Sequence, residues 1–201
     1  MKIEKLIMGR IENNTYFVSK GSDCIVIDPS MEYKQITEHI KVNGYNVKAI
    51  LITHAHYDHV YSLYELVRDT KAPVYMHKDD FPLYDASIPM TGSANKVEID
   101  YPLNGGEALD ILGEKIEVVH TPGHAEGCVC YIIGDSIFTG DFIFKGTVGR
   151  TDLPTSNKSK MNDSLNKFSK LDRDLKVYAG HGEDSTYYDE MNTNPFLIRY
   201  K

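Results

Sequence analysis

The stretch ILITHAHYDHV places three histidines and one aspartate directly behind an apolar run. The run VKAILIT is almost entirely apolar, which is typical of a strand buried on both faces. His54 and His56 are two residues apart, so their side chains point the same way in extended backbone. Asp58 and His59 follow where the chain turns towards a helix. This segment therefore predicts four potential metal ligands in one short loop behind a buried strand.

Composition and charge narrow the class of protein and its partners. A chain of 201 residues fits one domain over residues 1–201 with a sizeable core. Its net charge of −7 disfavours a nucleic-acid partner. No apolar run approaches the roughly 20 residues of a membrane helix. Charged residues interrupt the apolar stretches at the start of the chain, so we do not expect a signal peptide there. Three cysteines make disulfides unexpected, so we expect a reduced cytoplasmic protein without a membrane partner.

The pattern of apolar residues predicts strands interleaved with helices. NTYFVSKGSDCIVIDPS reads as a hairpin around Gly21-Ser22, and a helix with Ile36 and Ile40 on one face ends near Gly44. VYSLYELVRD and MNDSLNKFSKL have the spacing of amphipathic helices. The remaining predicted strands are PVYMH, KIEVVH, CVCYII, SIFTGD and LKVYAG. Alternation of this kind favours a layered α/β domain in which helices cover the sheets.

Three more polar residues follow later predicted strands. VVHTPGH contains His124, IFTGD ends in Asp141, and VYAGHG contains His181. Each lies beside glycine or proline, which can bend the backbone towards a shared cleft, and ligand sites in α/β layers gather at such strand ends. Imidazole and carboxylate bind zinc, iron or manganese, and seven such groups suffice for two ions.

The other histidines and two of the cysteines suit structural roles. His39 falls within a predicted amphipathic helix, and His77 ends a strand without a partner motif. His120 precedes His124 in the same stretch and is expected to support the metal site instead of binding the ion. Cys128 and Cys130 are two residues apart, so they are expected to lie on one face of a strand and to pack as small apolar residues.

The motifs THAHYDH, TPGH, TGD and AGHG, in this order and spacing, resemble the metallo-β-lactamase superfamily. VGRTDLP and NTNPFL are similar to its glyoxalase II-like branch in a short form. The resemblance covers essentially the whole chain. It implies an αββα four-layer sandwich with a metal cleft at one edge of the sheets.

The resemblance also distributes the ligands between two zinc ions, with iron or manganese as alternatives. The first ion would be held by His54, His56 and His124, and the second by Asp58, His59 and His181, with Asp141 bridging both. Asp28 matches an aspartate that supports the histidine loop without touching metal. The aspartate at 141, where β-lactamases commonly have cysteine, counts against antibiotic hydrolysis.

Such a site suits hydrolysis of thioesters without excluding other activated esters, and the resemblance to the glyoxalase II-like branch implies S-hydroxyacyl thioesters. Two ions about 3.5–4 Å apart can share a water and lower its pKa from about 15.7 towards about 7, which gives a hydroxide nucleophile. Asp58 would orient that hydroxide. No dedicated acid for a poor leaving group is evident, but a thiol ionises near about 8.5 and needs little help. The expected partner is therefore a small-molecule thioester.

Two alternatives and one further residue complete the sequence-based interpretation. A persulfide dioxygenase shares the fold and a similar GRTD segment, and would use one non-haem iron held by His54, His124 and Asp141. A metal-bound scaffold protein is the third reading. Arg150 stands where the glyoxalase II pattern has a basic substrate contact, but Asp152 replaces the expected tyrosine. Arg150 either binds a substrate carboxylate or pairs with Asp152.

Overall fold

Two six-stranded β-sheets form the centre of the computed structural model, which describes residues 1–201. In spatial order, the first sheet contains β1 (Lys2–Met8), β2 (Asn13–Lys20), β3 (Asp23–Ile27), β4 (Asn46–Leu51), β5 (Val74–His77) and β6 (Tyr101–Leu103). The second contains β14 (Ser185–Thr186), β13 (Lys176–Ala179), β10 (Ser136–Gly140), β9 (Val129–Ile133), β8 (Glu114–His120) and β7 (Ala108–Ile111). A small ribbon pairs β11 (Ile143–Phe144) with β12 (Thr147–Val148).

Five α-helices cover the outer faces of the sheets. They are α1 (Tyr33–Asn43), α2 (Leu63–Thr70), α3 (Phe81–Ser87), α4 (Lys158–Phe168) and α5 (Tyr187–Thr193). Helices α1 to α3 contribute to a core on the first sheet, and α4 and α5 contribute to another on the second. A third core lies between the two sheets. The layers are therefore helix, sheet, sheet and helix, and the predicted αββα sandwich is confirmed.

The alternation of side chains along each central strand separates these cores. In β3, Cys24 and Val26 enter the core beneath the helices, whereas Ile25 and Ile27 enter the core between the sheets. Because side chains alternate with a period of two, a slip of one residue would exchange the two sets. Each buried side chain of this size contributes about 1.5–3 kcal/mol, so the register is strongly specified.

Most predicted elements occur, with shifts at their ends. The hairpin turns at Gly21, and α1 ends at Gly44, whose left-handed backbone lets its N–H reach the carbonyls of Ile40 and Lys41. The helix predicted from Val60 begins at Leu63 instead. The preceding residues are held by the N–H of Ser62, which donates to Pro29 O over 3.0 Å.

The three cysteines are unpaired and buried, as expected. However, the prediction that Cys128 and Cys130 share one strand face is wrong. Cys128 precedes β9 and packs in the core beneath α1 to α3, whereas Cys130 lies within β9 and packs against α4. None of the helices has the length and apolar composition needed to cross a membrane.

Strand direction brings several chain segments to one edge of the sandwich. Strands β8 and β10 are each antiparallel to β9, and β13 is parallel to β10, so all three end at the same edge of their sheet. The segments that follow β8, β10 and β13 carry His124, Asp141 and His181. The histidine-rich segment follows β4 in the facing sheet. The fold thus joins residues far apart in sequence.

Candidate metal centre

Seven polar side chains lie in one cluster beyond the ends of β4, β8, β10 and β13. They form three overlapping groups, and the ligand atoms within each group lie within 4.8 Å of one another. The groups are His54 with His56 and His124, His54 with His59 and Asp141, and Asp58 with His59 and His181. These are the seven residues that the sequence singled out.

Asp141 lies between the two outer groups. Its Oδ2 atom is 3.5 Å from Nε2 of His124 and 3.6 Å from Nε2 of His181. Its Oδ1 atom is 3.3 Å from Nε2 of His59 and accepts no hydrogen bond, although it is buried. A carboxylate in this position can contact ions in both groups.

Within each outer group the potential ligand atoms are close together. Nδ1 of His56 lies 2.9 Å from Nε2 of His124, and Nε2 of His181 lies 3.2 Å from Oδ2 of Asp58. Nε2 of His54 is buried and has no hydrogen-bond partner. A buried polar atom without a partner costs about 1–3 kcal/mol, which a metal ion bound at this nitrogen would offset.

Hydrogen bonds behind the histidines fix which nitrogen faces the cluster. Nδ1 of His59 lies 2.9 Å from Asp28, Nδ1 of His124 lies 2.9 Å from Arg150 O, and Nδ1 of His181 lies 2.9 Å from Ile11 O. Donation from Nδ1 to these oxygens leaves Nε2 directed at the cluster. This is the arrangement that metal-binding histidines show, so the residues present fit divalent ions.

The pKa values of the cluster favour cation binding. Burial, reinforced by the neighbouring imidazoles, lowers the pKa of His54 and lowers that of His56 to about 4. Burial opposes ionisation of Asp58, but His59 and His181 outweigh it and hold the pKa of this carboxyl below its usual range. At neutral pH His54 and His56 therefore offer neutral imidazole nitrogens beside the ionised carboxylate of Asp58, the donor forms that divalent ions bind.

Excess negative charge concentrates around His59. Burial works against its charged form, but the carboxylates of Asp58, Asp141 and Asp28 outweigh burial and raise the pKa of His59 well above its usual range. The metal-free protein therefore holds a proton at the point where three carboxylates meet. A divalent cation would supply the same positive charge, which is a second way in which this residue set fits a metal.

Asp28 positions the histidine loop, as the resemblance implies. Its carboxylate accepts the backbone N–H of Thr53 over 2.8 Å and the Thr53 hydroxyl over 2.6 Å, in addition to His59 Nδ1. Asp28 itself has a φ of 51°, which costs a non-glycine residue roughly 1–3 kcal/mol and persists where the surroundings impose it. These hydrogen bonds hold His59 in place.

The segment Asn13-Asn14-Thr15 supports the site, which sequence analysis did not predict. The Asn13 amide is 3.1 Å from Asp58 Oδ2 and 3.1 Å from His59 Nε2. The Asn14 N–H donates to Gly180 O over 2.7 Å. The only sequence signal of this role is the pair of consecutive asparagines at the start of a strand, because asparagine is uncommon in strands.

Asp80 is a second supporting residue that sequence analysis missed. It is fully buried, and its carboxylate accepts the N–H of Ala55 and that of Gly127, each over 2.7 Å. Ala55 lies between two candidate ligands, and Gly127 belongs to the loop that carries His124. Asp80 therefore joins two of the loops that hold the candidate metal centre.

Two glycines leave space for the cluster. A Cβ atom on Gly180 would lie 2.3 Å from Oδ1 of Asp141 and 2.8 Å from Cε1 of His59. A Cβ atom on Gly149 would lie 1.9 Å from the carbonyl oxygen of Asp141. The φ angle of Gly180 is not positive, so glycine is required at this position by the crowded site and not by the backbone conformation.

The remaining histidines lie outside the cluster. The ring of His39 packs against that of Phe17 at an angle of 49°, with ring centroids 4.4 Å apart, which fits its predicted structural role. The rings of His77 and His120 stack on each other at 4.0 Å. Nε2 of His120 lies 2.9 Å from Glu126 O and so stabilises the loop that carries His124.

Arg150 is exposed and pairs with Asp152, the alternative that the sequence left open. The guanidinium donates two hydrogen bonds to this carboxylate, over 2.7 and 2.9 Å. Solvent screens an exposed pair of this kind, so it can open at little cost. The Arg150 backbone carbonyl contacts His124, which places the residue one hydrogen bond from the cluster.

Sequence comparison identifies relatives over nearly the whole chain. A profile of the metallo-beta-lactamase superfamily matches residues 8–181. The "Probable metallo-hydrolase YqgX" of Bacillus subtilis (strain 168) is 34% identical over 206 residues, which cover 98% of each chain. The "Hydroxyacylglutathione hydrolase GloC" of Haemophilus influenzae is 30% identical over 209 residues, again with 98% coverage of each chain.

Solved structures show the same architecture. The crystal structure of TTHA1623 in a di-iron-bound form superimposes with a TM-score of 0.88 at 34% identity, covering 96% of this chain and 100% of the other. The crystal structure of BLEG-1 B3 metallo-beta-lactamase superimposes with a TM-score of 0.87 at 29% identity, covering 98% and 99%. Similar backbones thus occur in a di-iron-bound protein and in a B3 metallo-beta-lactamase.

Proposed function

The chain belongs to the metallo-β-lactamase superfamily, and from this membership we propose that it is a dinuclear metal-dependent hydrolase of S-hydroxyacyl thioesters. The observation that carries the proposal is the pair of ligand groups with Asp141 between them. Zinc is the metal we propose, with iron or manganese as alternatives at either site.

Each group of side chains has a distinct task in this proposal. His54, His56 and His124 would hold the first ion, and Asp58, His59 and His181 would hold the second, with Asp141 contacting both. When bound, the two ions would polarise the thioester carbonyl and lower the pKa of a water between them. Asp58 accepts one hydrogen bond from the Asn13 amide and contacts His181, so its carboxylate can orient the attacking water.

The leaving group accounts for the choice of thioesters. The titratable side chains of the cluster are all candidate ligands or their supports, which leaves no free acid to protonate a poor leaving group. A thiol ionises near about 8.5, so its departure as thiolate needs little protonation. The likeness to the hydroxyacylglutathione hydrolase supports a hydroxyacyl group on the substrate.

Arg150 is proposed as a substrate contact despite its pairing with Asp152. The pair is exposed and the Arg150 backbone carbonyl contacts His124, so a substrate carboxylate near the cluster could displace Asp152 from the guanidinium. The tyrosine of the glyoxalase II pattern is absent at position 152. We therefore do not assign glutathione as the thiol.

A mononuclear iron persulfide dioxygenase is the second candidate. It would use His54, His124 and Asp141, all of which are buried and lie in the cluster. The hydrolase is favoured because it gives a role to Asp58 and His181, which lie 3.2 Å apart at the same centre and which a single iron held by the other three residues would not use.

The proposal is tested by metal removal and substrate choice. We expect chelation to abolish thiol release from S-hydroxyacyl thioesters, and Zn²⁺ or Mn²⁺ to restore it at up to two ions per chain. β-Lactams serve as the comparison substrate and should turn over poorly. Full activity of a rigorously metal-free sample would contradict the proposal. Failure on every thioester, together with oxygen uptake on a persulfide, would favour the dioxygenase instead.

A further inference from the structure

The segment from Asp141 to Arg150 joins both ends of the small ribbon to the candidate metal centre. Asp141 precedes β11, and the Arg150 carbonyl, which follows β12, accepts a hydrogen bond from Nδ1 of His124 over 2.9 Å. Gly149 lies against both ligands, since a Cβ atom on it would be 1.9 Å from Asp141 O and 3.0 Å from Nδ1 of His124. The position of β12 therefore decides whether the Arg150 carbonyl reaches His124.

The ribbon has little stability of its own. β11 and β12 have two residues each, and an isolated two-stranded hairpin is at best marginally stable in water. The tip of the ribbon, residues 145–147, is exposed, so no core fixes it. The ribbon therefore needs support from another part of the chain.

Two buried polar residues near the C-terminus provide this support. Glu190 in α5 is 1% exposed, and Asn194 directly after α5 is 0% exposed. Oε2 of Glu190 accepts the N–H of Gly146 over 3.0 Å and the side-chain amide of Asn194 over 2.7 Å. The same amide donates to the Thr147 carbonyl over 3.0 Å. We call Glu190 and Asn194 the ribbon clamp.

The chemistry of the ribbon clamp is not what helix packing alone would require. A buried carboxylate is costly unless hydrogen bonds satisfy it, and Glu190 receives them from Gly146, Asn194 and the Ser185 hydroxyl. An apolar side chain would serve to pack α5 at lower cost. Asn194 belongs to the stretch NTNPFL, to which the candidate metal centre gives no role. The backbone of the ribbon is the feature that both residues hold.

We propose that Glu190 and Asn194 are positioning residues for the metal centre, although their hydrogen bonds reach none of the seven cluster residues. By holding β12, the ribbon clamp keeps the Arg150 carbonyl on Nδ1 of His124, which directs Nε2 of His124 at the metal. The inference rests on the proposed metal centre but not on its substrate, because His124 is a ligand in both the hydrolase and the dioxygenase.

The first test measures solvent exchange of imidazole N–H groups by NMR in the metal-free protein. The Nδ1–H of His59, which is held by Asp28 and not by the ribbon, is the internal reference. In Glu190→Ala we expect the Nδ1–H of His124 to exchange about tenfold faster, because a segment that loses hydrogen bonds opens more often. Exchange at His59 should not change.

Two further variants serve as controls. Glu190→Gln can keep all three hydrogen bonds, because its amide oxygen can replace Oε2 and its amide nitrogen can donate to Ser185. Thr186→Ala removes the hydrogen bond that caps α5 at Asp189 N–H, and so weakens the same helix without removing a bond to the ribbon. In both controls we expect His124 to exchange as in the wild type.

The second test measures metal affinity by competition with a chromophoric chelator, which requires no substrate. We expect Glu190→Ala to bind one of its ions about tenfold more weakly than the wild type, the lower end of the loss that is typical when the support of a ligand is disturbed. Glu190→Gln and Thr186→Ala should keep wild-type affinity.

Equal acceleration of exchange at His124 and His59 in Glu190→Ala would overturn the inference, because the variant would then only destabilise the fold. The inference is also wrong if Glu190→Gln behaves like Glu190→Ala, or if metal affinity is unchanged in Glu190→Ala. Absence of metal binding by the wild type would refute the proposed function, whereas the exchange rates of the metal-free protein test the ribbon clamp separately.

Discussion

At the scale of single residues, the candidate metal centre depends on glycines, which leave space, as much as on the side chains that form it. Gly180 leaves the space in which Asp141 and His59 approach each other. The candidate ligands were recognisable in the sequence because histidine is rare and its spacing is specific. The glycine was not, because its requirement comes from atoms of two distant segments that the fold brings together.

Gly180→Ala should weaken metal binding. Its Cβ would lie 2.3 Å from Asp141 Oδ1, so this carboxylate or its strand must move. We expect metal affinity to fall by about 10–100-fold, the loss that is typical when a ligand is displaced by its surroundings. Affinity is measured by competition with a chromophoric chelator.

Gly182→Ala is the matched control for this change. Gly182 has a φ of 75° and no atom within 4 Å of a Cβ, so the variant should lose roughly 1–2 kcal/mol of stability through backbone strain but keep its metals. Wild-type metal affinity in Gly180→Ala would show that the cluster is less crowded than the structure indicates.

At the scale of elements, loops from different strands are fastened to one another by buried polar side chains. Asp80 joins the loop after β4 to the loop after β8, and Asn13 at the start of β2 contacts Asp58. Neither could be predicted, because Asp80 and Gly127 are 47 residues apart and Asn13 and Asp58 are 45 apart. No local pattern records contacts at such separations.

Asp80 should give the protein a characteristic pH dependence. Burial raises its pKa to about 6, against which hydrogen bonds from Gly127 and Ala55 act. Between pH 3.8, the ordinary pKa of an aspartate, and about pH 6, the folded state therefore keeps a proton that the unfolded state has already lost. Stability from this residue is fully present below pH 3.8 and declines as pH rises through about 6.

Comparison with Asp80→Asn isolates this contribution, because asparagine does not titrate. The free energy of unfolding of the wild-type protein, minus that of the variant, should fall by up to about 3 kcal/mol between pH 4 and pH 7. Denaturant unfolding of both proteins in their metal-free forms measures it. A difference that is constant or rises with pH would show that the pKa of Asp80 is not raised.

At the scale of the whole molecule, the sandwich was predictable where burial leaves a period in the sequence. The strand VKAILIT and the helix around Leu165 are examples, because each packs against a core. β1 and α5 were not predicted. β1 is an edge strand with charged side chains, and α5 has seven residues of which only Glu190 and Met191 are buried. Short or exposed elements take their structure from neighbours and leave little signal.

The whole fold also explains why two ions are proposed. The segment after β4 supplies ligands to both groups, whereas the second sheet supplies one ligand to each group and Asp141 between them. His54 belongs to the first group, and His181 belongs to the second alone. Replacing each of these two histidines in turn therefore distinguishes a dinuclear centre from a mononuclear one.

The most direct test of the account counts metal ions per chain in wild-type protein, His54→Ala and His181→Ala, with thioester hydrolysis measured on the same samples. We expect two ions in the wild type. We expect one tightly bound ion in His181→Ala, with hydrolysis reduced at least about 10–100-fold because a ligand of the second ion is lost. If His54→Ala is inactive while His181→Ala keeps wild-type metal content and turnover, the dinuclear hydrolase is contradicted.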